Sequence, residues 1–132
     1  MSVKLASLAV ASCLLAASSA EAHHSFSAEF DADKPVEQTG LVTKIEWLNP
    51  HVWFFIDVTG EDGTVTNWGW EMGSPNGLMR RGWTRNSMRI GDIVRVEGSA
   101  AKDGSAKANA RTVLLTASGA RLFAGSSQGQ AR

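Results

Sequence analysis

The chain has 132 residues, with 13 basic and 13 acidic side chains, three His, one Cys and five Trp. That length allows one domain with short extensions. Zero net charge argues against a general binder of nucleic acid or of anionic membrane, which would carry a basic excess. A small ligand or a cell-envelope protein is left as the partner.

Residues 1–22 read as an export signal. Lys4 supplies the positive start, and Ala20-Glu21-Ala22 forms an A-x-A cleavage site. Between them Leu5 to Ala17 is an apolar run shorter than the roughly 20 residues a transmembrane helix needs. Cleavage after Ala22 leaves a mature chain of 110 residues. This chain begins at His23, belongs in the periplasm or the medium, and has no transmembrane segment. The single Cys, Cys13, leaves with the signal. Thiolate catalysis, Cys–copper sites, Cys–zinc sites and disulfides are thereby excluded. A rival route is lipoprotein processing, because Val10-Ala11-Ser12-Cys13 loosely fits its cleavage box. That route would leave a lipidated Cys13 in place of His23.

Residues 23–38 form an amino-terminal arm. Phe26 and Phe30 lie four apart, which suits a helical turn or a docking segment, and Asp31 to Pro35 reads as a turn. The domain spans 39–124. Strand one, Thr39 to Leu48, places Leu41, Ile45 and Trp47 on one face and Val42, Lys44, Glu46 and Leu48 on the other. Asn49-Pro50 then makes a corner, because proline fixes its own φ and pushes the residue before it out of the helical region. Strand two, His51 to Thr59, sets Val52, Phe54, Ile56 and Val58 against His51, Trp53, Phe55 and Asp57. The second of these faces is too aromatic for plain solvent, and the arm is the nearest segment to cover it. Gly60 to Gly63 turns the chain into strand three, Thr64 to Met72, with Trp68, Trp70 and Met72 on one side.

A helix follows, with Ser74 as N-cap, Pro75 at the first helical position, Leu78 and Met79 as its apolar face and Gly82 as its stop. Arg80, Arg81, Arg85 and Arg89 read as a solvated basic end that complements the helix dipole. Strand four is Ile93 to Gly98, strand five Ala108 to Thr116, and Arg121 to Phe123 a short last strand. Residues 125–132 are a Gly/Ser/Gln-rich flexible tail. The expectation is an all-β domain with one short helix: an OB-fold-like five-stranded barrel with the helix between strands three and four. Such closure removes sheet edges without disulfides. An open sandwich-like β domain is the alternative.

Four segments carry a resemblance: His23-His24-Ser25-Phe26, Trp47-Leu48-Asn49-Pro50-His51, Glu71-Met72-Gly73-Ser74-Pro75-Asn76-Gly77-Leu78, and Lys102-Asp103-Gly104-Ser105. With them the chain resembles a family of small exported bacterial proteins catalogued as a domain of unknown function. The resemblance implies an exported single domain of β-barrel type. It brings no established activity or catalytic residues.

Two clusters could carry chemistry. The first is His23, His24 and His51. A mature terminus at His23 offers an α-amine and an imidazole that can chelate one ion together. A further imidazole from His51 would complete a T-shaped nitrogen set suited to Cu(II). In a second mode the α-amine, the deprotonated amide of His24 and the His24 ring bind the ion. An extended arm points His23 and His24 to opposite sides, so one of them meets His51. Copper is thus the implied cofactor, and its binding weakens in acid because the amine must lose its proton. The second cluster is aromatic: Trp53, Trp68 and Trp70 could stack a glycan or peptide, as OB-type sheets do. Enzyme motifs are missing: no Gly-x-Ser-x-Gly, no phosphate-binding glycine loop, no His-Glu-x-x-His. Ser74 is explained as a cap, and Glu46, Asp57 and Glu71 lie on strands with no pairing evident. The sequence favours a binding module, carrying or buffering copper, over an enzyme. The alternative is a metal-free scaffold or a peptide- or glycan-binding domain.

Overall fold

In the computed structural model, which describes residues 26–125, the alternating segments join into one curved sheet. Its strands are β1 (Phe30–Glu46), β2 (Trp53–Thr59), β3 (Val65–Glu71), β4 (Ile93–Ala101), β5 (Lys107–Leu115) and β6 (Ala120–Phe123). A short helix, α1 (Pro75–Arg80), lies between β3 and β4. Neighbours run β3-β2-β1-β4-β5-β6, and β3 pairs a second time, in parallel, with β5. That extra pairing closes β1, β2, β3, β5 and β4 into a ring. The other pairs are antiparallel. The class is the one the sequence implies: mostly β, with short helices.

The ring encloses the apolar face of each strand. Val42, Phe54, Ile56, Trp70, Val96 and Val113 are buried there, with Leu78 and Trp83 from the α1 region. At α1 the Ser74 hydroxyl accepts from the Gly77 N–H at 3.2 Å, Pro75 opens the first turn, and Gly82 ends the segment with φ +93. Leu78 is buried as expected, but Met79 is exposed and does not share its face. Trp83 packs back into the core and donates its indole N–H to the Phe123 carbonyl at 2.8 Å.

Strand one departs from the sequence reading in two ways. It begins at Phe30, not Thr39, and runs for 17 residues. Its first part pairs with β4, from Phe30 opposite Ala101 to Leu41 opposite Ile93. The turn expected at Asp31–Pro35 is an irregularity in this pairing, between Phe30 and Pro35. Proline obscured the strand, since it cannot donate to a ladder and is confined to edges and bulges. Second, a bulge between Val42 and Lys44 shifts the alternation, so the inner residues are Val42 and Ile45 while Leu41 is 40 % exposed. One extra residue moves a strand's side chains to the opposite face.

Two glycines allow the strands to approach closely. A Cβ on Gly98 would sit 1.9 Å from the Asn109 carbonyl oxygen, and one on Gly40 would sit 2.4 Å from that of Asp57. Gly98 lies where the β4–β5 register shifts. It therefore sets how β5 approaches β4 at Asn109.

Candidate functional site

Val52 and Met72–Gly73 extend the β2–β3 pairing beyond Trp53–Glu71, through Val52 N–H to Gly73 O at 3.0 Å and Met72 N–H to Val52 O at 2.8 Å. The Asn49–Pro50 peptide at the preceding corner is cis. His51, two residues before Trp53, shares the outer face with it. Glu71, directly across from Trp53, meets His51 on the diagonal. The His51 Nδ1 lies 3.2 Å from Glu71 Oε1. From the other side Asn109, the parallel β5 partner of Glu71, donates its Nδ2–H to the same oxygen at 3.2 Å.

Glu71 and Asn109 are both buried. A buried carboxylate is costly unless hydrogen-bonded, and these two donors supply that need. The bond to Glu71 raises the His51 pKa above its usual 6.5; burial opposes the rise, and the nearby carboxylate charge adds to it. With Nδ1 committed to Glu71, the other ring nitrogen, Nε2, is left to bind a metal or exchange a proton. Second-layer carboxylates orient metal-binding histidines in this manner.

The start of the described chain lies beside the same part of the ring. Residues 26–29 are helical. The Phe26 and Phe30 rings are in contact, with centroids 5.8 Å apart. Glu29 accepts the Lys102 N–H at 2.9 Å through its carbonyl, and its carboxylate meets Lys107 Nζ at 2.5 Å. Lys102 Nζ also bonds the Ser27 carbonyl. Lys107 precedes Asn109 by two residues on β5 and faces the same way. Its pKa is raised, chiefly by Glu29 and in smaller part by the charge of Glu71.

Of the sequence candidates, His51 is the histidine that the described residues contain. His23 and His24 lie outside them, as do the predicted signal and nearly all of the predicted tail. No group of three or more His, Cys, Asp or Glu is gathered among the described residues. Nor is any helix there long and apolar enough to cross a membrane.

The aromatic candidates separate. Trp70 is fully buried in the core, so its ring offers no face to a ligand, and its Nε1 is buried without a hydrogen-bond partner. Trp68 is partly buried and touches Trp70, with ring centroids 6.3 Å apart. Trp53 stays partly exposed on the outer face, stacked on Phe55 at 6.4 Å and 23°. The Phe55 ring covers Gly69, where an added Cβ would come within 3.1 Å, and Lys44 Nζ lies 5.2 Å from the centre of that ring. These contacts cover part of the outer aromatic face, while residues 26–29 bond to Lys102 and Lys107 and touch Phe30.

The three strand carboxylates are engaged separately. Glu46 meets Lys44, Asp57 accepts from Asn67, and Glu71 holds His51. Sequence reasoning names Glu71 without its partner and misses Asn109, Glu29 and Lys107. The available signal was an amide inside the small-residue run Ala108–Ala110, a polar group in a segment that reads as buried.

A family model for a family of unknown function, DUF6152, matches residues 9–110. The chain belongs to that family. No curated protein matches it. The DUF6152 match spans β1 to β4 and the start of β5, so it takes in His51, Glu71 and Asn109.

Proposed function

We propose that this DUF6152 protein is an exported, non-enzymatic binding module on an OB-like barrel, and that it takes up Cu(II) with His51 and the mature amino terminus. Copper carriage or buffering is its role. The observation that carries this reading is the 3.2 Å contact of His51 Nδ1 with Glu71 Oε1. It leaves Nε2 as the ligand atom on a ring of fixed orientation. The ring of strands, with α1 between β3 and β4, supports the OB-like assignment. In such folds the face of strands two and three and the adjoining loops bind ligands, and His51 stands at that face.

The remaining donors are the α-amine and imidazole of His23, or those of the His24 mode. His23 precedes Phe26 by three residues, and an extended chain spans at most about 3.5 Å per residue, so its reach from Phe26 is roughly 10 Å. Bound Cu(II) prefers a tetragonal nitrogen set, and an amine with two imidazoles supplies one. The test begins with the intact mass of the secreted protein. A first residue of His23 with one equivalent of Cu(II) bound supports the reading. A lipidated Cys13, or no uptake of copper at micromolar concentration, ends it.

A second reading rests on Trp53, which is partly exposed and lies across the ladder from Glu71. The Trp53–Phe55 stack would take the face of a sugar ring or an aromatic peptide side chain, without metal. Quenching of Trp fluorescence by glycans or peptides, lost in Trp53→Ala, would favour it over copper.

A further inference from the structure

At the end of β5 remote from Asn109, the loop before β4 and the turn between β5 and β6 border an open cleft of about 340 Å³. Leu115 lies six residues beyond Asn109, roughly 20 Å along a strand, so this cleft is apart from the His51 site. Ile93, 46 % exposed, and Leu115 supply its apolar lining. Arg89 and Asp92 line it from the loop, and Thr116 from the turn. Both walls are tied down. Asp92 Oδ2 accepts the Arg89 N–H at 2.8 Å, and the Asp92 N–H returns to the Arg89 carbonyl at 3.1 Å. Val42 holds the same loop, accepting the Gly91 N–H and donating its own N–H to the Asp92 carbonyl, each at 2.8 Å. The Thr116 hydroxyl donates to the Ile93 carbonyl at 2.6 Å. None of these bonds uses the Arg89 guanidinium. Among the described residues it meets no carboxylate, Asp92 included, and the Asp92 carboxylate meets no cation. Two opposite charges thus line one cleft without neutralising each other.

We propose that this cleft binds a free α-amino acid with an aliphatic side chain. The ligand carboxylate meets the Arg89 guanidinium, its ammonium meets the Asp92 carboxylate, and its side chain lies on Ile93 and Leu115. A planar guanidinium matches a carboxylate in shape as well as charge. A simple anion would be repelled by Asp92 and a simple cation by Arg89, whereas a zwitterion satisfies both. The volume sits at the low end of the range for small-molecule clefts, about 300–1,000 Å³. Walls already closed by their own hydrogen bonds need little ordering when a ligand arrives. The site uses no metal and no residue before β1, so it stands or falls apart from the copper reading.

The test titrates the metal-free secreted protein with leucine, leucinamide and N-acetylleucine and follows its backbone amide resonances. Leucinamide lacks the carboxylate. N-acetylleucine lacks the ammonium and imitates the carboxyl end of a peptide. Leucine is expected to shift the resonances of Arg89–Ile93 and Leu115–Ala117, and either analogue to bind about tenfold more weakly. Leucine binding is expected to weaken about tenfold in Arg89→Met and in Asp92→Asn. Asp92→Asn keeps an oxygen for the Arg89 N–H, and a wild-type His51 titration reports that each variant is folded. No shift with leucine at millimolar concentration overturns the proposal. So does N-acetylleucine bound as tightly as leucine, which would assign the cleft to a peptide carboxyl terminus. Leucine binding unchanged by both substitutions overturns it as well.

Discussion

Asn109 Nδ2 and His51 Nδ1 converge on one atom, Glu71 Oε1, each at 3.2 Å. Two strands and the corner before a third thereby meet in one polar contact: β5 gives the amide, β3 the carboxylate, and the segment just before β2 the imidazole. The His51 proton is held by that carboxylate, which raises its pKa. Proton magnetic resonance of the imidazole will show His51 titrating above 6.5 in the wild type. In Glu71→Gln the main cause of the rise is gone while burial still opposes the charged form, so the titration moves below the wild-type value.

The same shift has a consequence for stability. A histidine whose folded pKa is raised binds its proton more tightly when folded. Its contribution is complete below the unfolded value near 6.5 and is lost as pH rises through the raised folded value. The urea midpoint difference between wild type and His51→Gln will therefore shrink as pH rises through that window. A difference that grows with pH would contradict the Glu71 assignment.

Gly98 connects packing to the site. A side chain there collides with the Asn109 backbone at 1.9 Å, so Gly98→Ala must separate β4 from β5 where Asn109 reaches Glu71. We expect a loss of about 3 kcal/mol, the upper end for overpacking, together with a His51 titration shifted toward that of Glu71→Gln. Gly63→Ala is the control. Gly63 has open space around it but a φ of +82, and a loss of about 1 kcal/mol is expected with no change at His51. Denaturant unfolding of the two variants measures both.

The two most buried indoles differ in their N–H groups. Trp83 donates to the Phe123 carbonyl at 2.8 Å, whereas Trp70 Nε1 has no partner. Trp83→Phe removes volume and leaves a part-buried acceptor unpaired, which together cost about 2–3 kcal/mol. Trp70→Phe removes volume but also relieves an unpaired buried donor. It will be the milder change in urea midpoint.

Much of this fold was legible because one side of each strand is buried. The Val52–Phe54–Ile56 face, the Ser74 cap, the Gly82 stop and the β-strand class all follow from alternation and local backbone preference. The bulge between Val42 and Lys44 was not legible, since Leu41 and Val42 are equally apolar and only the partner strand decides which turns inward. The extension of β1 back to Phe30 was hidden by Pro35 and by the acidic Asp31 and Asp33. At the site, His51 stood out as a lone imidazole at a corner. Its carboxylate and amide partners are 20 and 58 residues further along the chain, and the parallel β3–β5 pairing that unites them leaves no periodic mark in sequence.

The central claim is that His51 Nε2 joins the mature terminus around one metal ion. Spin resonance of the mature protein with one equivalent of Cu(II), in wild type and His51→Ala, tests it most directly. A tetragonal spectrum with three nitrogen donors in wild type, reduced to two in His51→Ala with at least a tenfold weaker Kd, is the predicted result. Identical spectra and affinities in the two proteins would contradict it.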